Sequence, residues 1–146
     1  MIPSAYPLDG GFWRTANGNF LEMAVLEWCK LLADRRGAHF WKNVVSDPAA
    51  FEAGLLRRLR LDTAAFEGEI DDMRRYRDHY IAHADSDPKI YVPHLDVAKR
   101  AVWFYFAHVV NQEVNSADLT GFPLDLDAGY KQCEEEAKAI YRHSGS

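Results

Sequence analysis

The sequence predicts an all-α fold, a compact bundle of about five helices. Three observations carry that expectation. Apolar residues recur three and four apart over long stretches, the spacing that lines one face of a helix. Capping side chains stand immediately ahead of several of those stretches. No Val/Ile/Thr-rich segment alternates apolar and polar residues as a half-buried strand does. The 146 residues suit one domain over 1–146, and 48% hydrophobic residues can furnish its core.

Residues 1–17 carry Pro3, Pro7, Gly10 and Gly11 and read as an irregular arm, pinned to the body by Phe12 and Trp13. A first helix is expected from Asn19 to Asp34, with Leu21, Ala24, Val25, Trp28, Leu31 and Leu32 inward and Gly37 closing it. Residues 38–45 read as a short helix or turn. Ser46-Asp47-Pro48 is a helix start, a capping side chain followed by proline in the first turn, and a helix to Leu59 should bury Phe51, Leu55, Leu56 and Leu59. Asp62 is expected to cap a third helix over Thr63–Ala84. A loop marked by Pro88 and Pro93 follows over Asp85–Val92, with room for an extended piece over Ile90–Val92.

A fourth helix is expected over His94–Asn115. Its segment Ala101–Val110 is apolar nearly all round, so it should be buried on more than one side. The second side is read as a homodimer interface, with a central core helix of a monomer as the alternative. After a loop at Gly121 and Pro123, Asp127 is expected to cap a last helix, Ala128–Arg142. Its inward residues would be Tyr130, Cys133, Ala137, Ile140 and Tyr141, with residues 143–146 a frayed tail.

Composition narrows the function. Lys and Arg total 17 against 22 Asp and Glu, a formal charge of −5. That balance argues against a protein that coats nucleic acid by bulk charge, while leaving room for a local basic site. Two cysteines, Cys29 and Cys133, are too few for a disulfide framework and are expected as free, buried thiols. The N-terminus has no signal-peptide pattern and no apolar run reaches bilayer length, so a cytoplasmic protein without a membrane partner is expected.

The segment richest in chemistry is Met73–Asp85, at the end of the third helix. Phe66, Ile70, Met73, Tyr80, Ile81 and Ala84 form its apolar stripe, and Arg77 falls in the middle of it. A guanidinium there needs a carboxylate, a subunit junction or an anionic ligand, because a lone buried charge is costly. His83 lies about 120° away on the same wheel, beside Tyr76 and Tyr80, so a break near the helix end would let it converge with Arg77. The plainer alternative pairs Arg77 with Asp78 or a carboxylate on another helix and leaves His83 at the helix C-terminus, where the dipole favours it.

This segment also resembles a known family. Arg77-Asp78 followed by four residues and His83 is similar to the Rx4-6H motif of the HEPN superfamily. The longer string Arg77-Asp78-His79-Tyr80-Ile81-Ala82-His83-Ala84-Asp85 resembles the signature of its abortive-infection U-type branch. Leu26-Glu27-Trp28-Cys29-Lys30-Leu31-Leu32 and His39-Phe40-Trp41-Lys42 resemble that branch as well, so the likeness spans residues 20–112. It implies a helical homodimer that brings two motifs together, and a metal-independent endoribonuclease without cofactors. By that resemblance Arg77 would hold the scissile phosphate, His83 would act as general acid or base, and Asp78 would orient them. Tyr76, His79, Tyr80 and Arg74 would contact RNA. The partners implied are RNA, a second copy, and an antitoxin or nucleotidyltransferase. Other members of the superfamily only bind nucleotides or proteins, and a non-catalytic module of the same fold is the alternative.

Other chemistry is weakly represented. His79 and His83, four apart, could share a metal ion with Asp72, Asp85 or Asp87, but no H-E-x-x-H pattern accompanies them, and no metal site is expected. His108 is expected as a hydrogen-bonded core or interface histidine. Gly-rich phosphate loops, a G-x-S-x-G elbow and a histidine-paired cysteine are all missing from the sequence. Two basic clusters, Arg57/Arg58/Arg60 and Arg74/Arg75/Arg77, could line a groove or be ordinary solvated faces.

Overall fold

The computed structural model describes residues 11–81, 93, 95–113 and 124–143, with side chains for 15–79, 93, 95–113 and 124–140. Among these residues there are five α-helices and no strand. They are α1 (Gly11–Leu32), α2 (Pro48–Leu59), α3 (Thr63–Tyr76), α4 (Leu95–His108) and α5 (Leu126–His143). A 3-10 turn, Trp41–Asn43, links α1 to α2, and π turns extend α3 over Arg77–Ile81 and α4 over Val109–Glu113.

The local signals explain most boundaries. The Asp47 carboxylate accepts the Ala50 N–H at 3.0 Å with Pro48 in the first turn of α2, and the Asp62 carboxylate accepts the Ala65 N–H at 2.8 Å at the start of α3. Two starts differ from expectation. α1 begins at Gly11, so residues 11–17 are helical rather than part of an irregular arm. Phe12–Asn17 contains no proline to interrupt the hydrogen-bond ladder. α5 is capped by Asp125 rather than Asp127. Asp125 accepts the Asp127 and Ala128 N–H groups at 2.9 and 3.1 Å, while Asp127 turns to accept the indole N–H of Trp103 at 2.7 Å. Residues 1–10, 82–92, 94, 114–123 and 144–146 lie outside the described residues. The same holds for the expected extended piece at Ile90–Val92, the Gly121–Pro123 loop and residues 144–146 of the expected tail, whose first residue, His143, is instead the last of α5.

The core is built by helix faces of the expected spacing. α1 contributes Val25, Trp28, Cys29 and Leu32, α2 contributes Phe51, Leu55 and Leu59, and α3 contributes Phe66, Ile70, Met73 and Tyr76. Ala24, expected inward, is exposed. Phe51 is the aromatic hub, with ring centroids 4.9 Å from Trp41, 5.3 Å from Phe104, 5.5 Å from Tyr105 and 4.9 Å from His108. Gly54 lets α2 approach α4, since a Cβ there would stand 2.9 Å from Cζ of Phe104. The buried indole N–H of Trp28 donates to the Ala98 carbonyl at 3.2 Å and ties α1 to α4.

α4 buries Ala98, Ala101 and Tyr105, while Val102, Trp103, Phe104 and Phe106 are half-buried. α5 departs furthest from expectation. Tyr130, Ala137, Ile140 and Cys133, expected inward, are exposed, so Cys133 is a free surface thiol; the side chain of Tyr141 lies outside the described residues. The start of α5 meets α4, where Tyr130 packs edge-on against Trp103 at 6.0 Å. No described helix is long and apolar enough to cross a membrane.

Candidate functional site

The ends of α1 and α3 converge on Arg77. At the end of α1, Cys29 carbonyl oxygen accepts both the Ala33 N–H at 2.9 Å and the Asp34 N–H at 2.8 Å. The second of these spans five residues and swings Asp34 out of the helix. At the end of α3, the Arg77 N–H donates to the Met73 and Arg74 carbonyls, and the chain then widens into the π turn that starts at Arg77 itself. A π turn spreads its residues over more than one α-helical turn and often marks functional positions.

Arg77 Nη1 donates to the Asp34 carboxylate at 2.6 Å, and its Nε donates to the Asp78 carboxylate at 2.8 Å. These bonds raise the guanidinium pKa above its ordinary value, the Asp78 bond contributing most and the Asp34 bond adding to it, against the cost of partial burial. The arginine is therefore charged at every accessible pH. Its side chain is 22% exposed, so it is neither sealed in the core nor free in solvent. Arg74 lies beside it. One nitrogen donates to the Ala33 carbonyl and another faces Asp71 at 3.4 Å. A cation on the last carbonyls of α1 is favoured by the helix dipole. The two arginines thus staple the end of α3 to the end of α1.

Cys29 is buried behind this pair. Burial pushes its thiol up to about 11, with Arg77 pulling the other way. The thiol is a packing group at neutral pH.

The expected site residues fall into distinct places. Arg77 and Asp78 are in direct contact, as the reading in which Asp78 orients Arg77 requires. Tyr76, expected to touch RNA, is instead 6% exposed and part of the core, because α3 turns its hydroxyphenyl ring inward with Met73. Burial also raises its phenol pKa. Arg74, expected as a second RNA contact, is engaged with the α1 carbonyl. His79 is exposed. The side chain of Tyr80, and His83, Asp85, Asp87 and His94 altogether, lie outside the described residues. Asp34 was not legible as a partner of Arg77. It sits on the polar side of the first helix, and no sequence spacing couples position 34 to position 77.

A second polar cluster closes the far end of α4. The π turn Val109–Glu113 brings Glu113, five residues along, back over His108, and the two meet at 3.0 Å. The same Glu113 oxygen accepts the Ser46 N–H at 2.9 Å and hydroxyl at 3.1 Å. These bonds hold the Glu113 carboxyl below its ordinary range, the Ser46 N–H first among them. The carboxylate stands between serine and histidine, so the order does not make a nucleophile–base pair. The cluster is a clasp between α4 and the start of α2, and His108 is the hydrogen-bonded histidine expected.

Among the described residues no group of three or more His, Cys, Asp or Glu side chains could hold a metal ion. A cleft of about 280 Å³ opens over Trp41, Phe66 and Ile70, with the Arg35–Glu67 and Lys42–Glu52 ion pairs at its rim, and Arg77 does not line it. In comparisons with known proteins, no family model matches the chain, and no curated protein or solved structure matches it either.

Proposed function

We propose that this protein is a HEPN-like, metal-independent endoribonuclease of a phage-defence or toxin-like system, acting as a homodimer through Arg77 and His83. The supporting observation is the Arg77 guanidinium, oriented by Asp78 and Asp34 on a π turn and still partly open to solvent. A guanidinium held in one orientation needs little reorganisation to meet a phosphate whose charge grows during reaction. In the reaction proposed, the ribose 2′-oxygen attacks phosphorus and the bond to the 5′-oxygen breaks. A 2′,3′-cyclic phosphate and a free 5′-hydroxyl result. His83 takes the proton from the 2′-OH or delivers one to the 5′-oxygen, and a second copy of the chain supplies the other transfer.

A second reading has its own observation. The two carboxylates that orient Arg77 also offset its charge, which suits a non-catalytic module in which the trio stabilises the fold or binds a nucleotide weakly. Cleavage of an RNA pool in EDTA separates the readings. The nuclease reading expects cyclic-phosphate ends and losses of at least about 100-fold in both His83→Ala and Arg77→Ala. Wild-type protein that leaves RNA intact, with both variants folded, supports the non-catalytic module. Should Arg77→Ala fail to fold, Arg77→Lys keeps the charge and removes the fork. Undiminished cleavage by Arg77→Lys would count against phosphate recognition by the guanidinium.

A further inference from the structure

The two basic clusters of the sequence have different fates in the fold. Arg74, Arg75 and Arg77 on α3 are each paired with a carboxylate: Asp71, Asp72, and Asp34 with Asp78. Arg57, Arg58 and Arg60 at the end of α2 are exposed, and among the described residues none of them forms an ion pair. Arg100 of α4 joins them, its guanidinium donating to the Arg58 carbonyl at 2.7 Å. In a chain of net charge −5, four arginines are thus brought together at one junction without a carboxylate partner among the described ion pairs, while Arg36 and Lys131 stand exposed elsewhere.

Arg60 adds a second observation. It closes α2 with φ 60° and ψ 42°, the left-handed conformation usually given to glycine. An arginine kept there accepts backbone strain that glycine would not.

The third observation lies along α4. Trp103 follows Arg100 by three residues and so shares its face. Its indole is fixed by Asp127 and packs against the half-exposed Tyr130. The Lys99 ammonium lies 5.0 Å from the Trp103 ring and 4.4 Å from the Tyr130 ring. Fork-shaped cations beside an aromatic pair are what single-stranded nucleic acid uses: phosphates meet the guanidiniums and an unstacked base meets a ring. An acidic peptide would need the cations and have no use for the rings. Asp62, which caps α3 two residues after Arg60, Asp96, one turn before Arg100, and Asp127 are carboxylates near this stretch, and among the described ion pairs none of them meets an arginine of the junction.

We infer that the junction of α2 and α4, through Arg57, Arg58, Arg60 and Arg100, continued along α4 by the Lys99, Trp103 and Tyr130 cluster, is a docking surface for single-stranded RNA. It lies apart from the carboxylate-paired arginines of α3. The inference rests on the RNA reading proposed above and specifies where the strand is held.

The test is fluorescence anisotropy with a short 2′-O-methylated oligouridine, which lacks the attacking hydroxyl and cannot be cut, over about 50 to 200 mM salt. Arg57→Gln/Arg58→Gln/Arg60→Gly is expected to bind at least about tenfold more weakly, with a log–log salt slope shallower by about 2. Tyr130→Ala is expected to lose at least about fivefold in affinity with the slope kept. Arg75→Gln, whose charge is already paired, should match wild type. Wild-type affinity and slope in the triple variant would overturn the docking surface, as would polyglutamate bound as tightly as the oligonucleotide. Binding without cleavage of unmodified RNA would remove the nuclease and keep the surface. Unchanged KM for cleavage in the triple variant would remove the surface and keep the nuclease. No binding by wild type would overturn both.

Discussion

Two cysteines of one chain show how far environment governs a side chain. Cys29 is fully buried on the core face of α1, and its thiol is pushed up to about 11, while Cys133 sits exposed on α5. The thiolate is the reactive species, so the native protein at pH 8 should titrate one thiol with a disulfide reagent and release the second only on unfolding. Cys133→Ser should then leave a native protein that hardly reacts, and rapid modification of that variant would contradict the buried setting of Cys29. The sign also bears on stability. A thiol whose folded pKa is raised holds its proton longer in the folded state, so its contribution is intact below about 9 and is lost as pH rises through about 11. Arg77 teaches the same lesson. The wheel placed it in an apolar face and thereby demanded a partner. Asp78, its neighbour, was legible in the sequence, whereas Asp34 was not, because that contact depends on where the end of α1 falls.

At the scale of elements, α2 and α4 depend on one missing side chain. Gly54 is buried, and Phe104 fills the space where its Cβ would stand. Gly54→Ala sets a gain in helix propensity of about 1 kcal/mol against displacement of the ring tip, so the two effects should nearly cancel. Gly54→Leu cannot be absorbed by the ring alone. It should force the helices apart and cost about 1–3 kcal/mol, read as a lowered urea midpoint. A midpoint equal to wild type would mean that α2 does not seat against α4 through this contact. The boundaries of α2 and the start of α3 were legible because aspartate caps and proline act within a few residues of themselves. The two π turns were not. An inserted register step leaves no distinct composition, and each was expected as continuing α-helix.

For the whole molecule, the clasp of Glu113 on Ser46 and His108 joins the end of α4 to the start of α2 and sets an acid limit. The Glu113 pKa is lower folded than unfolded, so its contribution is complete above about 4.5. As pH falls further, the unfolded chain takes up the proton first and stability declines. Denaturant midpoints measured from pH 7 to pH 3 should fall more steeply in wild type than in Glu113→Gln, and parallel curves would show that the clasp carries no proton linkage.

The sequence by itself determined the helical class, the faces of α1, α2 and α3 that form the core, the helix starts at Asp47 and Asp62, and the need of Arg77 for an anionic partner. These follow from periodicity, capping and the cost of a lone charge, which act over a few residues. Tertiary structure alone decided that Asp34 meets Arg77, that Tyr76 turns into the core, that Glu113 returns to His108, and that α5 leaves Tyr130, Cys133 and Ile140 exposed. Each of those depends on how one element lies against another, and an amphipathic pattern states that a face should be covered without stating by what.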